Sequence, residues 1–408
     1  MLGGKHRDQV FVAGGQPTVT YVDRQEAHVE RNLARAIATP NQIVSLAGPT
    51  KTGKTVLCHK VLANREFVWI DGGRVKTVES LWSDIIGELR LPVEQTATEE
   101  VAHSGEAGVN AVVVSAKGSR LQKNSVAKKT ITSMSDAIDT MIQAGIILVI
   151  DDFHYLEEDT RVSFLRNIKG AVFSGLKVLL LSVTHRAFDA IRSESELTGR
   201  FISVTLPNWS DSELLQIPER GFYELGADCP SSITARLAEE SQASPFLMQK
   251  FCWEICFDSD IERSNLLSRH KIPGDFGLDE MFERLAKDAG LPIYQKLVAG
   301  PQSRKIRTKR PLARGGQADI YEATLLAIAE TGPKQNISYD ELRVTMNTLL
   351  TDMMPQKHEI TSALKHLSSI SMRGGASAAI DWDEDNRAIN IVDPYLRFYL
   401  RWQVRGRT

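Results

Sequence analysis

Cysteine is scarce in this sequence, with four residues among 408. They are Cys58, Cys229, Cys252 and Cys256, and none stands in the Cys-x-x-Cys spacing of redox and zinc sites. Long apolar runs are missing too, since no stretch of about 18 apolar residues suits a membrane span and no charged-then-apolar leader is visible. These absences argue against a disulfide-stabilised secreted domain and against a membrane protein. We expect a cytoplasmic protein.

An excess of charge of either sign is also missing. Lysine and arginine total 49 against 51 aspartates and glutamates, which gives a formal net charge of -2. A chain without an overall basic field does not attract nucleic acid through its net charge, so any such contact requires a local patch. The remaining composition is that of an ordinary globular protein, with 42% apolar and 25% charged residues. The length is sufficient for two or three domains.

Short apolar runs alternate with helical patterns over the first half of the chain. Strands that alternate with helices predict a parallel sheet whose two faces are covered by helices. We therefore predict an N-terminal arm at 1–20 and an α/β domain at 21–208, with a polar, Gly/Ser-rich insertion at about 97–130. The five predicted strands are residues 42–48, 67–72, 145–153, 176–185 and 201–206.

The second half of the chain has mostly helical periodicity. We predict a helical lid at 209–299, followed by a basic, Gly/Pro-containing linker at 300–317. Residues 318–408 then contain three helical segments, a Gly-Gly turn and two strand-like runs, which is the order of a winged helix.

The stretch GPTKTGKT at 48–55 fits the pattern G-x-x-x-x-G-K-[ST] and connects a predicted strand to a predicted helix. Its glycines let backbone N–H groups turn toward phosphate oxygens, and the helix N-terminus adds a favourable dipole. We predict that Lys54 reaches the β- and γ-phosphates of ATP and that Thr55 ligates Mg²⁺. The predicted nucleotide-binding residues here are Gly48, Pro49, Thr50, Lys51, Thr52, Gly53, Lys54, Thr55 and Val56.

The stretch ILVIDD at 147–152 ends a buried strand with two carboxylates. Asp151 lies where a Walker B aspartate supports Mg²⁺, and Asp152 is the candidate base that orients the attacking water. Aspartate is one methylene shorter than glutamate, which limits the reach of Asp152. The alternative is that Asp152 supports a neighbouring ligand or caps a helix.

Two later segments hold further candidate catalytic residues. Thr184 and His185 end the strand predicted at 176–185, where a polar side chain can contact the γ-phosphate, although His185 can equally be an ordinary loop histidine. Arg200 precedes the fifth predicted strand and is a candidate arginine finger for the nucleotide of a neighbouring subunit. The alternative for Arg200 is a salt bridge at the strand end.

The order of these motifs resembles that of the AAA+ ATPases of the origin-recognition and STAND-related branch. The resemblance covers about residues 20–402 and includes prokaryotic ATP-binding proteins with a terminal winged helix. It implies ATP binding and hydrolysis. Two departures imply a slow, switch-like ATPase: Asp152 replaces the usual glutamate, and Phe246 lies near the position of a lid arginine, after Pro245, which resembles the lid proline of STAND ATPases.

The resemblance also implies that Tyr21 and Val22 line the adenine pocket, although the same segment can be ordinary packing. An ATP-dependent homo-oligomer is expected from Arg200. DNA can bind through the basic linker and the insertion, or a protein effector through the winged helix. The alternative is a regulatory switch or scaffold with little turnover and no DNA contact, which the acidic residues at the predicted wing favour.

Overall fold

The computed structural model describes residues 4–90, 133–183, 199–265, 268–302, 306–372 and 379–405. The insertion predicted at about 97–130 lies outside these ranges, as do Thr184 and His185. Within them, no helix is both long and apolar enough to cross a membrane.

The chain divides into two compact units. We call Asp23–Pro49 together with Gly53–Pro207 the sheet unit, and Met1–Val22, Thr50–Thr52 and Asn208–Thr408 the helical unit.

The described helices, numbered along the chain, are α1 (Arg7–Val10), α2 (Val29–Ala38), α3 (Lys54–Leu62), α4 (Val78–Arg90), α5 (Met134–Ala144), α6 (Glu158–Phe173), α7 (Asp211–Leu225), α8 (Ser231–Glu240), α9 (Pro245–Asp258), α10 (Leu278–Ala299), α11 (Ile320–Glu330), α12 (Tyr339–Leu349), α13 (Lys357–Met372) and α14 (Pro394–Tyr399). A π-helical turn at Leu400–Val404 continues α14.

The described strands are β1 (Ile43–Ala47), β2 (Phe67–Asp71), β3 (Ile147–Asp151), β4 (Lys177–Ser182), β5 (Phe201–Thr205), β6 (Ala227–Asp228), β7 (His270–Lys271), β8 (Arg310–Pro311), β9 (Gln317–Ala318), β10 (Asn336–Ser338), β11 (Ile380–Asp383) and β12 (Ala388–Ile391).

The sheet unit is built on a five-stranded sheet in the order β2-β3-β4-β1-β5, with every neighbouring pair parallel. Alternate residues of one strand enter two different cores: Leu148 and Ile150 pack with α4, α5 and α6, whereas Ile147 and Val149 pack with α2 and α3. Burial on both faces explains why these strands read as continuous apolar runs. The α/β fold predicted from the sequence is confirmed.

Local signals set several helix ends in the sheet unit. Ser133 caps α5 by accepting a hydrogen bond from the Asp136 N–H, and Gly145 ends the helix in the left-handed region at φ 70°. Helix α2 begins at Val29, because His28 before it adopts the left-handed conformation, at φ 49° and ψ 28°.

The helical unit contains two hydrophobic cores. One lies among α7, α8, α9 and α10 and includes Val10, Phe11 and Val22 from the N-terminal segment. The other lies among α11, α12, α13 and a three-stranded antiparallel sheet in the order β10-β12-β11. In chain order, this second part runs helix, strand, helix, helix, strand, strand.

Candidate functional site

The loop between β1 and α3 begins in a space that only a glycine fills. A Cβ on Gly48 would lie 2.8 Å from the Leu206 Cβ, and the Gly48 N–H donates to the Ser182 carbonyl at 3.2 Å. The loop therefore leaves the sheet between β4 and β5, at the carboxyl edge of the parallel strands. This is the edge at which open α/β sheets bind their ligands.

The N-terminus of α3 is open for an anion. Its N-cap is Gly53, at φ 93° and ψ 22°, which has no side chain to accept from the first N–H groups of the helix. Unsatisfied N–H groups and the helix dipole together make such a terminus a phosphate site. Gly53 is required by this conformation, since a positive φ strains residues with a Cβ.

Lys54 begins α3 and is buried, with 9% of its surface exposed. Its ammonium donates to the carbonyls of Gly48 and Pro49 at 2.9 Å each, so the side chain lies along the loop. Burial lowers the pKa of Lys54, and the nearby charges of Asp152 and Asp151 oppose this shift. A buried cation at the N-terminus of a helix is suited to an anionic ligand.

Thr55 and Asp151 form the candidate magnesium site. The Thr55 hydroxyl donates to the Asp151 carboxylate at 3.0 Å, which brings together residues from α3 and the end of β3. Burial raises the pKa of Asp151, while the hydrogen bond from Thr55 and the charge of Lys54 lower it. A hydroxyl and a carboxylate are hard oxygen donors of the kind Mg²⁺ takes together with phosphate oxygens and water. The two residues therefore fit the ion.

Asp152 follows β3 in a left-handed conformation, at φ 50° and ψ 37°. Its N–H donates to its neighbour, the Asp151 carboxylate, at 2.9 Å. Burial, and after it the charge of Asp151, raises the pKa of Asp152 to about 7. The structure thus gives this carboxyl a pKa suited to proton transfer near neutral pH. The backbone of the same residue is held in a sparsely populated conformation.

Sequence reasoning missed two residues beside this pair. Asp71 ends β2 in register with Asp151, and its charge contributes to the raised pKa of both Asp151 and Asp152. Gly72 follows, and a Cβ there would lie 2.8 Å from the Asp151 carbonyl oxygen and 2.9 Å from that of Asp152. A signal was present, because FVWID and ILVID both end in Ile-Asp.

Ser182 is a third residue to which the sequence alone assigns no role. It ends β4 between β1 and β3, is 4% exposed, and its hydroxyl has no hydrogen-bond partner among the described residues. The two polar residues predicted to act there, Thr184 and His185, lie outside the described residues.

Arg200 lies at the opposite edge of the sheet from the phosphate loop. It precedes β5, its carbonyl accepts from the Ile43 N–H at the start of β1, and its guanidinium lies 5.5 Å from the ring centroid of the exposed Phe173. The sheet unit therefore does not bring Arg200 to its own Lys54.

Tyr21, Val22 and Pro245 belong to the helical unit. Val22 is 3% exposed and is part of that unit's core, and the Tyr21 carbonyl accepts from Arg220. Pro245 is the first residue of α9, after the N-cap Ser244. The contacts of Tyr21 and Val22 with adenine, and of Pro245 with the nucleotide, therefore remain predictions.

The likeness to known proteins lies in solved structures. No family model matches the sequence, and no curated protein matches it. The chain is similar to the Walker-type ATPase PABY2304 of Pyrococcus abyssi, with a TM-score of 0.56 and 15% identity over 93% of this chain and 96% of that one. It is also similar to Cdc6p from Pyrobaculum aerophilum, with a TM-score of 0.45 and 12% identity over 98% of each chain. The Aeropyrum pernix ORC2 protein gives a TM-score of 0.49 and 13% identity over 99% of this chain and 98% of that one.

At these identities the likeness concerns the fold alone. The resemblance to P-loop ATPases drawn from the motifs is confirmed at the level of the fold. The chain has the α/β fold of a P-loop ATPase of the Walker type.

Proposed function

We propose that this protein binds ATP with Mg²⁺ and hydrolyses it slowly, as an ATP-dependent switch of the AAA+/STAND-like kind. The observation that carries the proposal is the meeting of the phosphate loop with β3, where the Thr55 hydroxyl lies 3.0 Å from the Asp151 carboxylate. The buried Lys54 and the uncapped α3 complete a phosphate site on the same edge.

Each residue has a distinct part in the proposed reaction. Lys54 and the loop N–H groups hold the phosphates, and Thr55 and Asp151 hold Mg²⁺. Bound Mg²⁺ neutralises charge on the phosphate oxygens. Asp152 orients the attacking water and takes its proton, for which a pKa of about 7 is favourable. The short side chain of Asp152 is consistent with slow turnover.

The proposed output is a change in which surface the protein presents to a partner. In this proposal residues 318–408 form a winged helix, because α11, α12 and α13 and the sheet β10-β12-β11 follow that order. Residues 209–299 form the helical lid, and Pro245 at its α9 responds to the nucleotide. ATP binding then governs assembly and engagement of DNA or of a protein effector.

Three of the four described basic residues of the linker are paired with carboxylates, which favours a protein effector over DNA. Arg307 pairs with Asp319 at 2.9 Å, Arg310 with Glu359 at 2.7 Å and Arg314 with Glu330 at 3.2 Å. A guanidinium already paired with a carboxylate must give up that pair to bind a phosphate. On α13, Lys365 likewise pairs with Glu384 at 2.8 Å.

Two variants test the proposal. Lys54→Ala should weaken ATP binding by about tenfold or more, because the charged contact to the phosphates is lost. Asp152→Asn should abolish hydrolysis while ATP still binds. Calorimetry with ATP and Mg²⁺, together with phosphate release, measures both effects, and Lys60→Ala in the exposed part of α3 is the control. Unchanged ATP affinity in Lys54→Ala would refute the site.

Partner choice is tested by sizing the full chain with ATP, with ADP and with duplex DNA at two salt concentrations. A salt-sensitive complex with DNA would support a DNA-directed switch. Assembly that depends on ATP but ignores DNA would support the protein-directed alternative.

A further inference from the structure

Lys51, the fourth residue of the phosphate loop, has a backbone conformation that favours glycine. Its φ is 59°, and it belongs to the three loop residues, Thr50–Thr52, that group with the helical unit. A residue with a Cβ remains in the left-handed region only where its surroundings fix it there. The contacts of Lys51 within the helical unit identify what fixes it.

The side chain of Lys51 is bound by a carboxylate 342 residues away in sequence. Its ammonium donates to both oxygens of Asp393, at 3.2 Å and 3.3 Å. The pair is mostly shielded from water, with 25% of the Lys51 side chain and 21% of the Asp393 side chain exposed. Partial burial weakens the screening of this pair by salt.

Two aromatic rings complete the surroundings of the ammonium. It lies 4.2 Å from the ring centroid of Tyr395 and 5.4 Å from that of Phe246, and the two rings meet edge to face. The backbone of Lys51 is held as well, since its carbonyl accepts from the Ser244 hydroxyl at 3.5 Å. A carboxylate, two rings and a hydroxyl therefore hold one loop residue.

If the Lys51 ammonium moves away, Asp393 still has a second cation nearby. It caps α14 by accepting from the Tyr395 N–H at 2.7 Å, and it interacts electrostatically with the partly buried Arg397. Burial lowers the pKa of Arg397 to about 10, and the charge of Asp393 opposes that shift. The carboxylate can thus exchange one cationic partner for another without leaving its place in the fold.

From this arrangement we infer that Asp393 is a positioning residue for the nucleotide site, and that it competes with the terminal phosphate of ATP for Lys51. The inference rests on the proposed function and names the regulation of that same site. Without nucleotide, Asp393 neutralises Lys51 and holds the loop. The terminal phosphate of ATP carries more negative charge than one carboxylate, and it draws the ammonium away.

In this proposal the Lys51 ammonium has one partner when ATP is bound and another when the terminal phosphate is absent. ATP binding breaks the pair between Lys51 and Asp393 while Asp393 still caps α14, and loss of the terminal phosphate restores the pair. The affinity for ATP is therefore more sensitive than the affinity for ADP to the charge at residue 393.

The test measures ATP and ADP affinity by calorimetry with Mg²⁺ for the full chain. Asp393→Asn removes the charge and keeps a residue that caps helices well, and Asp393→Ser is a second variant of the same kind. Either should tighten ATP binding by about fivefold, at the lower end of couplings between sites, with a smaller gain for ADP. Lys51→Gln should weaken ATP binding, and adding Asp393→Asn to it should produce no gain.

The helical unit offers a closely matched control. Asp319 caps α11 by accepting from the Tyr321 N–H, pairs with Arg307 at 2.9 Å, and Arg307 lies 4.7 Å from the Tyr321 ring centroid. Asp319→Asn therefore removes the same kind of charge from the same kind of cap, without a phosphate-loop partner. ATP affinity should be unchanged in it.

The outcomes separate the inference from the function on which it rests. A wild-type chain that binds no ATP overturns the proposed function, and the inference with it. If the wild type binds ATP, equal or weaker affinity in Asp393→Asn and Asp393→Ser overturns the inference alone. So does a gain that persists in the Lys51→Gln background, because the effect would then not pass through Lys51.

Discussion

Asp71 and Asp151 are register partners at the carboxyl ends of two adjacent parallel strands, β2 and β3. Register partners on parallel strands point to the same face of a sheet, and Asp151 points to the face of α3, where it meets Thr55. Asp71 accepts from the Gly73 N–H at 3.0 Å and pairs with Arg74 at 3.1 Å, which fixes its carboxylate at that edge. The candidate site thus contains a third carboxyl group.

Asp71→Asn is expected to shift the pH dependence of hydrolysis toward acid. The charge of Asp71 contributes to the raised pKa of Asp152, so its removal lowers that pKa and leaves the base ionised at lower pH. Asparagine retains the oxygen that accepts from Gly73. The measurement is kcat against pH from 5 to 9, with Asp84→Asn on the exposed side of α4 as the control. An acidic limb that does not move would contradict this role of Asp71.

Gly72→Ala is expected to impair hydrolysis more than binding. The new Cβ would lie 2.8 Å from the Asp151 carbonyl oxygen, so the turn that carries Asp152 must move. Displacing a catalytic group by about 1 Å can cost up to about a hundredfold in rate, and we expect a loss in kcat between about tenfold and that figure. Phosphate release and ATP affinity, measured together, provide the test.

Gly87→Ala is the matched control for Gly72→Ala. Gly87 lies on the exposed side of α4, and a Cβ there meets nothing within 4 Å. Alanine in a helix should leave activity unchanged and raise stability by about 0.5–1 kcal/mol. Equal kinetic effects of the two substitutions would refute a specific role for Gly72.

The nucleotide-free protein should become less stable as pH rises from about 4 to 7. The pKa of Asp152 is about 7 in the folded chain and 3.8 ordinarily, so the folded state binds more protons in that window and stability falls with rising pH. Asp152→Asn removes this dependence. We expect its Tm to exceed that of the wild type at pH 8 by about 2–4 °C, with a smaller gain at pH 5.

The gain in Tm must be compared at two pH values, because asparagine is also well suited to the left-handed conformation of Asp152. That benefit is the same at every pH, whereas the electrostatic one is not. Melting curves at pH 5 and pH 8, without Mg²⁺ or nucleotide, separate the two. A gain of equal size at both pH values would rule out the electrostatic origin.

Local patterns predicted the parts of the structure that depend on neighbours in sequence. The five strands, the turn at Gly53 and the position of Lys54 follow from apolar runs and from one motif. The role of Asp71 depends on the register of β2 against β3, strands separated by 75 residues, which no local pattern specifies. The pair between Lys51 and Asp393 is a contact across 342 residues, so it is visible only in the folded chain.

Arg200 supplies the last prediction, which concerns assembly. It lies at the amino edge of the sheet, whereas Lys54 lies at the carboxyl edge, so any action of Arg200 on ATP requires a second copy of the chain. Arg200→Ala should therefore leave ATP affinity unchanged and reduce kcat by about a thousandfold or more, and only at concentrations where copies associate.

A mixing experiment separates this role from a structural one. Asp152→Asn is inactive through its own site but keeps Arg200, and Arg200→Ala keeps its own Asp152. If the finger acts between copies, the mixture should hydrolyse ATP faster than the sum of the two variants alone, because one kind of interface is then complete. Activity equal to that sum, with association confirmed by sizing, would contradict a role of Arg200 in the site of a neighbouring copy.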